Sequence, residues 1–255
     1  MKILAEIEQI QDEMIAIRRA IHAHPELGFE EFATSDMVAQ KLEEWGFEVH
    51  RGLAGTGVVG QLRNGDGPRI GLRADMDALP IAEETGLEYA STQPGKMHAC
   101  GHDGHTATLL AAAKVLASTR RFSGTLNVIF QPAEEGLGGA REMVEQGLFE
   151  LFPCDAIFAM HNMPGFPQGK LGFLAGPFMA SSDTATITLN GVGGHGAVPH
   201  KTVDPVVMAA TLTLCLQSVV SRNIDPLDTA IVSVGSIHAG SAANVIPASA
   251  KLQVS

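Results

Sequence analysis

The sequence predicts an α/β fold, a three-layer sandwich of helices around a largely parallel sheet, followed by a smaller α+β domain. Strand-like and helix-like segments alternate along the first two thirds of the chain, which is typical of parallel sheets with helical connections. The chain has 255 residues, of which 45% are hydrophobic, so it can form a large core. Near residue 182 buried runs give way to half-exposed alternation, and we place the domain boundary there, giving domains 1–182 and 183–255.

The first two elements are predicted to be helices. Apolar residues recur at spacings of three and four from Ile7 to Ile21, which places them on one helix face. Pro25 is expected to end this helix. A second helix is predicted over 34–45, and Gly46 provides its C-terminal stop.

Strands and helices alternate after Gly46. The predicted strands are 47–50, 57–62, 69–73, 125–130 and 156–160. The predicted helices between them are 105–118 and 137–146. The sequence Asn-Gly-Asp-Gly at 64–67 predicts a hairpin between the second and third strands. The last two strands are almost wholly apolar, so we expect both to be buried.

The second domain begins with an alternating strand over 184–189, followed by a glycine-rich loop. A long helix is predicted over 204–222, then strands over 230–237 and 250–255.

Charge and cysteine content limit the classes of function. The formal net charge is −11, from 17 basic and 28 acidic residues, which argues against a nucleic-acid partner. Acidic residues interrupt the N-terminal apolar residues, so a signal peptide is not expected. No apolar stretch reaches the roughly 18 residues needed to span a membrane, so we expect no membrane partner. Three widely spaced cysteines do not make a disulfide framework, and we expect a cytoplasmic protein.

Polar side chains follow the third, fourth and fifth predicted strands. Because the carboxyl ends of parallel strands meet at one edge of a sheet, where ligands bind in open α/β folds, we expect these side chains to lie close together. They are Asp75, Asp77, Glu134, Glu135 and His161.

A fourth segment, 98–105, carries Cys100 and His102 in a glycine-flanked loop before a predicted helix. Cysteine, histidine and carboxylate are the ligands of zinc and related metals. A thiolate could also bridge two cations. His105 lies in the same segment, and the sequence leaves open whether it has a site role or is an early helix residue.

The adjacent pair Glu134 and Glu135 suggests a division of roles. Neighbouring side chains of an extended or turning segment point in different directions, so one carboxylate can hold a metal while the other takes a proton from water. Alone, each of these residues has an ordinary explanation, such as a core cysteine or a solvated glutamate. Their joint placement after core strands favours a metal site.

Other motifs are weak. Residues 55–60 and 191–196 fit GxGxxG, but neither leads directly from a strand into a helix, so a dinucleotide-dependent oxidoreductase is not favoured. The sequence contains no GxSxG and no HExxH motif.

The chain resembles the amidohydrolase branch of the dinuclear-metal aminoacylase and carboxypeptidase family, which includes hippurate hydrolases and indole-acetyl-amino-acid hydrolases. The resemblance covers nearly the whole chain in order. The matching segments are 22–31, 71–80, 97–107, 130–136, 160–165, 193–200, 204–206 and 244–247.

The resemblance implies roles for individual residues. Two divalent ions (zinc, manganese, cobalt or nickel) would be held by the metal ligands Cys100, His102, Glu135 and His161. Glu134 would be the general base that activates water against the amide bond of a hippurate-like N-acyl amino acid. Asp75 and Asp77 would support the metals.

The resemblance also implies that residues 183–255 form part of a lid and dimerisation domain, through which the protein would form a homodimer. In that domain His195 would reach the carbonyl oxygen of a substrate, often one bound in the partner subunit. Asn244 would contact the substrate carboxylate.

One departure from the family affects this expectation. Family members continue past the position of Ser255, complete the lid and supply a final histidine ligand. The alternative is therefore a catalytically incompetent metal-binding or dimerisation fragment.

Overall fold

A computed structural model of the chain describes residues 4–255. The chain divides into two compact units, Met1–Lys170 and Leu171–Ser255. The boundary predicted at residue 182 falls inside the second unit.

The first unit contains five helices and five strands among its described residues. The helices are α1 (Ala5–Ala23), α2 (Phe32–Glu44), α3 (His102–Thr119), α4 (Gly139–Glu145) and α5 (Leu148–Leu151). The strands are β1 (Glu48–Leu53), β2 (Gly57–Asn64), β3 (Arg69–Asp75), β4 (Gly124–Gln131) and β5 (Ala156–Ala159). The short helix α5 was not predicted, whereas each predicted helix and strand of this unit is present with bounds shifted by a few residues.

The five strands form one mixed sheet in the order β1-β2-β4-β3-β5. Strand β3 runs parallel to β4 and to β5, whereas β2 runs antiparallel to β1 and to β4. The parallel part therefore comprises β4, β3 and β5, whose carboxyl ends share one edge. This is the edge at which the sequence places its polar side chains.

Helices cover both faces of this sheet, as the α/β prediction requires. Neighbouring residues of β2 illustrate the two layers, because Val58 packs with α2 and α3 residues while Val59 packs on the α4 side. Val128 and Ile129 of β4 divide in the same way. All four side chains are buried, which explains why these strands are apolar without alternation.

The hairpin predicted at 64–67 is wrong. The chain does reverse there, but β4 lies between β2 and β3, so the two strands do not pair. The side chain of Asn64 donates to the backbone carbonyl of Arg120, 2.9 Å away, and a Cβ at Gly67 would lie 2.7 Å from the carbonyl oxygen of Ser123. The residues leading into β4 therefore fill the gap inside the turn. The turn residues at 64–67 therefore predicted that the chain reverses, but not which strand pairs with β2.

The expectation that the strand at 156–160 is buried is also wrong for the described residues. All four residues of β5 are exposed, and the strand pairs only with β3. An apolar run can mark an edge strand as well as a central one, and pattern alone does not separate them.

The second unit has a three-stranded antiparallel sheet with one long helix packed against it. Its elements are β6 (Ala185–Asn190), β7 (Gly194–His195), a 3₁₀ turn (Pro199–Lys201), α6 (Pro205–Asn223), β8 (Val234–Ala239), β9 (Val245–Ile246) and β10 (Ser249–Val254). The sheet order is β6-β10-β8, and β7 pairs separately with β9.

Strand β10 fits the alternation of a half-buried strand. Ala250, Leu252 and Val254 are buried against the helix side, while the residues between them are exposed. Asp204 begins α6 by accepting a hydrogen bond from the backbone N–H of Val206 at 2.8 Å, which is the usual role of an N-cap aspartate.

Helix α6 corrects one expectation. It is long and apolar enough to cross a membrane by length and composition, so the statement that no stretch reaches that length was wrong. In the structure the helix contacts β6, β8 and β10. A helix that packs on a sheet within its own unit meets the same length test, so this finding is weak evidence for a membrane span.

Candidate metal centre

The candidate site lies at the carboxyl edge of β4, β3 and β5. Asp75 ends β3 and is paired in register with Gln131, which ends β4. The segments that follow these strands, together with the loop that precedes α3, bring the predicted residues of the first unit into one cluster.

His102 is at the centre of this cluster and is fully buried. Its Nδ1 lies 3.2 Å from Asp77 Oδ1, so Asp77 fixes the orientation of the ring. The other oxygen of Asp77 accepts a hydrogen bond from the backbone N–H of Glu135 at 3.0 Å. Asp77 thus ties the histidine loop to the segment after β4, as a carboxylate that supports metal ligands would do.

Three carboxylates face the free nitrogen of His102. From Nε2 the distances are 3.7 Å to Asp75 Oδ2, 3.8 Å to Glu135 Oε1 and 3.9 Å to Glu134 Oε2. This buried nitrogen has no hydrogen-bond partner among the described residues. A buried polar atom without a partner is costly, and here it points at oxygen ligands.

Cys100 and His161 complete the cluster. Cys100 Sγ lies 3.4 Å from His161 Nε2. Three overlapping groups have ligand atoms within 4.8 Å of one another, and all three share His102. One contains Cys100 and His161, another contains Glu134 and Glu135, and the third contains Asp75 and His105. The four predicted ligands and the predicted base are therefore brought together.

The site is strongly acidic, and this changes the proton affinity of its groups. Burial, followed by the charge of Glu135, raises the pKa of the Cys100 thiol to about 12. Burial and the same neighbouring charge also raise the pKa of Glu134. A divalent cation would reverse these pKa shifts, because it stabilises a thiolate and neutralises adjacent carboxylates. The donor set of sulfur, nitrogen and oxygen atoms around the free Nε2 fits such a cation.

His105 has an anchoring position. Its Nδ1 lies 2.6 Å from Asp75 Oδ1, and its Nε2 lies 2.9 Å from the backbone N of Asn162, which donates to it. Both ring nitrogens are thereby engaged. This favours the structural alternative over a site role, since His105 joins the ends of β3 and β5.

Asp75 is held as a carboxylate. Burial opposes its charge, but the hydrogen bond from His105 and the charge of Arg73 outweigh burial and lower the pKa of Asp75 to about 2. Arg73 Nη1 lies 2.7 Å from Asp75 Oδ2, and its Nε donates to Gln131 at 2.8 Å. The sequence analysis assigned no role to Arg73, which bridges two strand ends.

The two predicted residues of the second unit are neighbours there. His195 pairs with Val245 across β7 and β9, and the next residue, Gly196, donates to the backbone carbonyl of Asn244 at 2.8 Å. A cavity of about 530 Å³ beside them is lined by Gly196, Asp204 and residues 239–243, among others. His195 and Asn244, which are 49 positions apart in sequence, are thus brought close together beside this cavity.

A second buried cluster includes two residues of the 98–105 segment, and we call it the His98 cluster: His22, Glu83, His98 and Asp103. His22 Nδ1 lies 2.8 Å from Asp103 Oδ2 and its Nε2 lies 3.3 Å from Glu83 Oε1. Both nitrogens of His98 are buried without a hydrogen-bond partner among the described residues. Burial lowers the pKa of His98 to about 4, so it is neutral near pH 7.

Another residue that the sequence analysis did not assign is Glu31, which is fully buried. Its Oε1 accepts from the backbone N–H of Ala133 at 2.8 Å and its Oε2 from the hydroxyl of Thr56 at 2.6 Å. Burial raises the pKa of Glu31 despite these hydrogen bonds. Its presence in the 22–31 segment, which the family resemblance had marked, was the available signal.

Comparison with known proteins identifies the family of this chain. Residues 71–253 match the Peptidase family M20/M25/M40. A hippurate hydrolase of Campylobacter jejuni is 52% identical over 256 aligned positions, which cover all of this chain and 67% of that protein. An IAA-amino acid hydrolase of Arabidopsis thaliana is 47% identical, covering 95% of this chain and 55% of that protein. The chain therefore spans between about half and two thirds of the length of these relatives.

Solved structures agree in fold. A dinuclear metal-binding peptidase of the M20 family from Bacillus subtilis superposes with a TM-score of 0.69 and 37% sequence identity. The match covers 97% of this chain and 64% of that structure. The α/β sandwich and the kind of metal site expected from the sequence thus agree with what this neighbour is described to be.

Proposed function

Because this chain belongs to the peptidase family M20/M25/M40, we propose that its protein is a metal-dependent amidohydrolase that cleaves the amide bond of N-acyl amino acids. The observation that carries the proposal is the free Nε2 of His102, buried among Asp75, Glu134 and Glu135. The names hippurate hydrolase, IAA-amino acid hydrolase and N-acetyl-L-cysteine deacetylase of the relatives support this substrate class.

The metal-holding residues would be Cys100, His102, Glu135 and His161. Two divalent ions held there would supply Lewis acidity, which polarises an amide carbonyl and makes water more acidic. The ligand types suit zinc, manganese, cobalt or nickel. Asp77 would keep His102 in the tautomer whose Nε2 lone pair points into the site.

Glu134 would move the proton. Its side chain is 42% exposed, whereas that of Glu135 is 27% exposed, so Glu134 is the more accessible to substrate and water. Glu134 would take a proton from the attacking water and give it to the leaving amine.

The second unit would contribute substrate contacts. His195 is exposed and its Nδ1 accepts a hydrogen bond from the backbone N–H of Ala197 at 3.1 Å, which leaves Nε2 as the donor. We propose that this N–H binds the substrate carbonyl oxygen, where negative charge develops during attack. Asn244 would bind the substrate carboxylate.

We also propose that the protein is a homodimer formed through the second unit. The exposed side chains of Val207 and Leu214 on α6 support this, with exposed fractions of 62% and 74%. Sedimentation of the unsubstituted protein and of a Leu214→Lys variant tests it: a monomeric unsubstituted protein contradicts the proposal.

A cytoplasmic location is proposed from the three free cysteines, and fractionation of cells would test it.

The decisive experiment is Glu134→Gln in the full-length protein, assayed with hippurate and N-acetylcysteine. We expect metal content to be unchanged and kcat to fall by a factor of about 10² to 10⁴, as for loss of a general base. Full activity with full metal content would overturn the mechanism.

The second candidate is a chain that binds metal without hydrolysis, since it spans only part of the length of its relatives. Metal stoichiometry and turnover of the 255-residue chain distinguish the candidates. Bound metal without turnover supports the second.

A further inference from the structure

The segment from His22 to Glu31, which we call the N-terminal strap, contacts three separate segments of the candidate site. It joins α1 to α2 and contains no residue that the proposed mechanism uses. Each contact falls one residue away from a site residue.

The first contact reaches the first turn of α3. The ring of His22 lies 2.8 Å from Asp103, the residue after His102. Arg18 Nε lies 2.7 Å from the same Asp103 oxygen. Asp103 has no exposed side-chain surface, so the strap and α1 together fix the first turn of α3.

The second contact reaches the segment after β3. The backbone carbonyl of Glu26 accepts from the N–H of Ala78 at 2.8 Å, and Leu27 forms an isolated parallel bridge with Ala78. Ala78 follows Asp77, which holds both His102 and the backbone of Glu135. The carboxylate of Glu26 also accepts from the first N–H groups of α2, so the strap is itself anchored.

The third contact reaches the segment after β4 and is the most specific. Glu31 accepts from the N–H of Ala133, which precedes Glu134, and from the hydroxyl of Thr56. Ala133 has φ of 52°, a conformation that non-glycine residues rarely adopt. A Cβ added at Gly28 would lie 3.0 Å from Ala133 Cα, so the strap also packs directly against this turn.

We propose that the N-terminal strap is a positioning element of the metal centre and that Glu31 is its principal positioning residue, holding the turn that carries Glu134 and Glu135. This rests on the proposed function, because it assigns the strap to the ligands of that site. Hydrogen-bond partners outside a metal's ligand set are known to change metal affinity substantially.

The test compares Glu31→Leu with Glu31→Gln in the 255-residue chain. Leucine removes both acceptor oxygens. Glutamine keeps one oxygen for Ala133 N–H and can donate its amide to the Thr56 hydroxyl. Gln61→Leu serves as the matched control, because Gln61 is buried and bonds Asn127 in the middle of the sheet.

Zinc affinity is measured by competition with a chromophoric chelator, and thermal unfolding is measured on the metal-free forms. We expect Glu31→Leu to weaken zinc binding by about 10- to 100-fold, and Glu31→Gln to stay within about threefold of the unsubstituted chain. Gln61→Leu should lower the unfolding temperature but leave zinc affinity unchanged.

Equal zinc affinity of Glu31→Leu and the unsubstituted chain overturns the inference, and so does an equal loss in Glu31→Leu and Gln61→Leu. If Glu31→Leu does not fold, Thr56→Val and Thr56→Ser decide: the valine variant should weaken zinc binding and the serine variant should restore it, and no difference between them overturns the inference. An unsubstituted chain that binds no zinc overturns the proposed function and the inference with it.

Discussion

Two buried histidines, four residues apart in sequence, have opposite environments. His102 has Asp77 at one nitrogen and three carboxylates around the other. Although burial opposes it, the hydrogen bond that His102 donates to Asp77 and the surrounding negative charge raise the pKa of His102. His98 has no hydrogen-bond partner at either nitrogen among the described residues, and burial lowers its pKa to about 4.

The difference shows what makes a buried histidine a candidate metal ligand. Burial is the same for both, and acidic residues lie near both. Only His102 has one nitrogen fixed by a carboxylate while the other faces further donor atoms. The His98 cluster contains histidines and carboxylates as well, but its ligand atoms do not form a group within 4.8 Å among the described residues.

The strongest test of this difference is the same substitution at both positions, His102→Leu and His98→Leu. Zinc sites with four ligands contribute about 10–16 kcal/mol, so one ligand is worth about 3 kcal/mol, or about a hundredfold in affinity. We expect His102→Leu to weaken zinc binding by at least about this factor, and His98→Leu to have little effect. Isothermal titration of both variants measures this, and an equal loss would mean that the two histidines are equivalent.

A pH titration tests the environment of His98 directly, through the pH dependence of the free energy of unfolding. In the folded chain the pKa of His98 lies near 4, below its ordinary value of 6.5. The unfolded chain therefore takes up this proton first as the pH falls, so the stability contribution of neutral His98 is complete above pH 6.5 and is lost between pH 6.5 and 4. The loss is about 3 kcal/mol by pH 4.

Urea unfolding of the metal-free chain, with a chelator present, measures this from pH 7.5 to pH 4. His98→Leu lacks the titrating group, so we expect its stability to fall less than that of the unsubstituted chain, by the same amount. Parallel stability curves for the two proteins would contradict the assignment.

The smallest expected effect concerns the carboxylate that orients His102. Asparagine at position 77 offers one acceptor oxygen instead of two, so Asp77→Asn cannot serve both His102 and the backbone of Glu135. We expect zinc affinity to fall by about 10- to 100-fold.

Asp155→Asn is the matched control for this substitution. It removes a carboxylate that pairs with Arg69 at the opposite edge of the same strands, so zinc affinity should not change. A loss in the control equal to that in Asp77→Asn would assign the effect to strand stability rather than to His102.

The sequence by itself determined most of the elements and the location of the site. The apolar period of three and four gave α1, and apolar runs gave β2, β3 and β4, because burial on one or two faces imposes these patterns directly. The metal centre followed from polar residues placed after such strands, since parallel strands bring their carboxyl ends together.

Only the tertiary structure decided how distant segments meet. The turn after β2 reverses the chain, but the insertion of β4 beside it depends on residues about sixty positions later, which no local pattern encodes. The role of Glu31 likewise depends on its contact with Ala133, 102 positions away. The difference in environment between His98 and His102 was decided in the same way, because a side chain's chemistry depends on which groups the fold places around it.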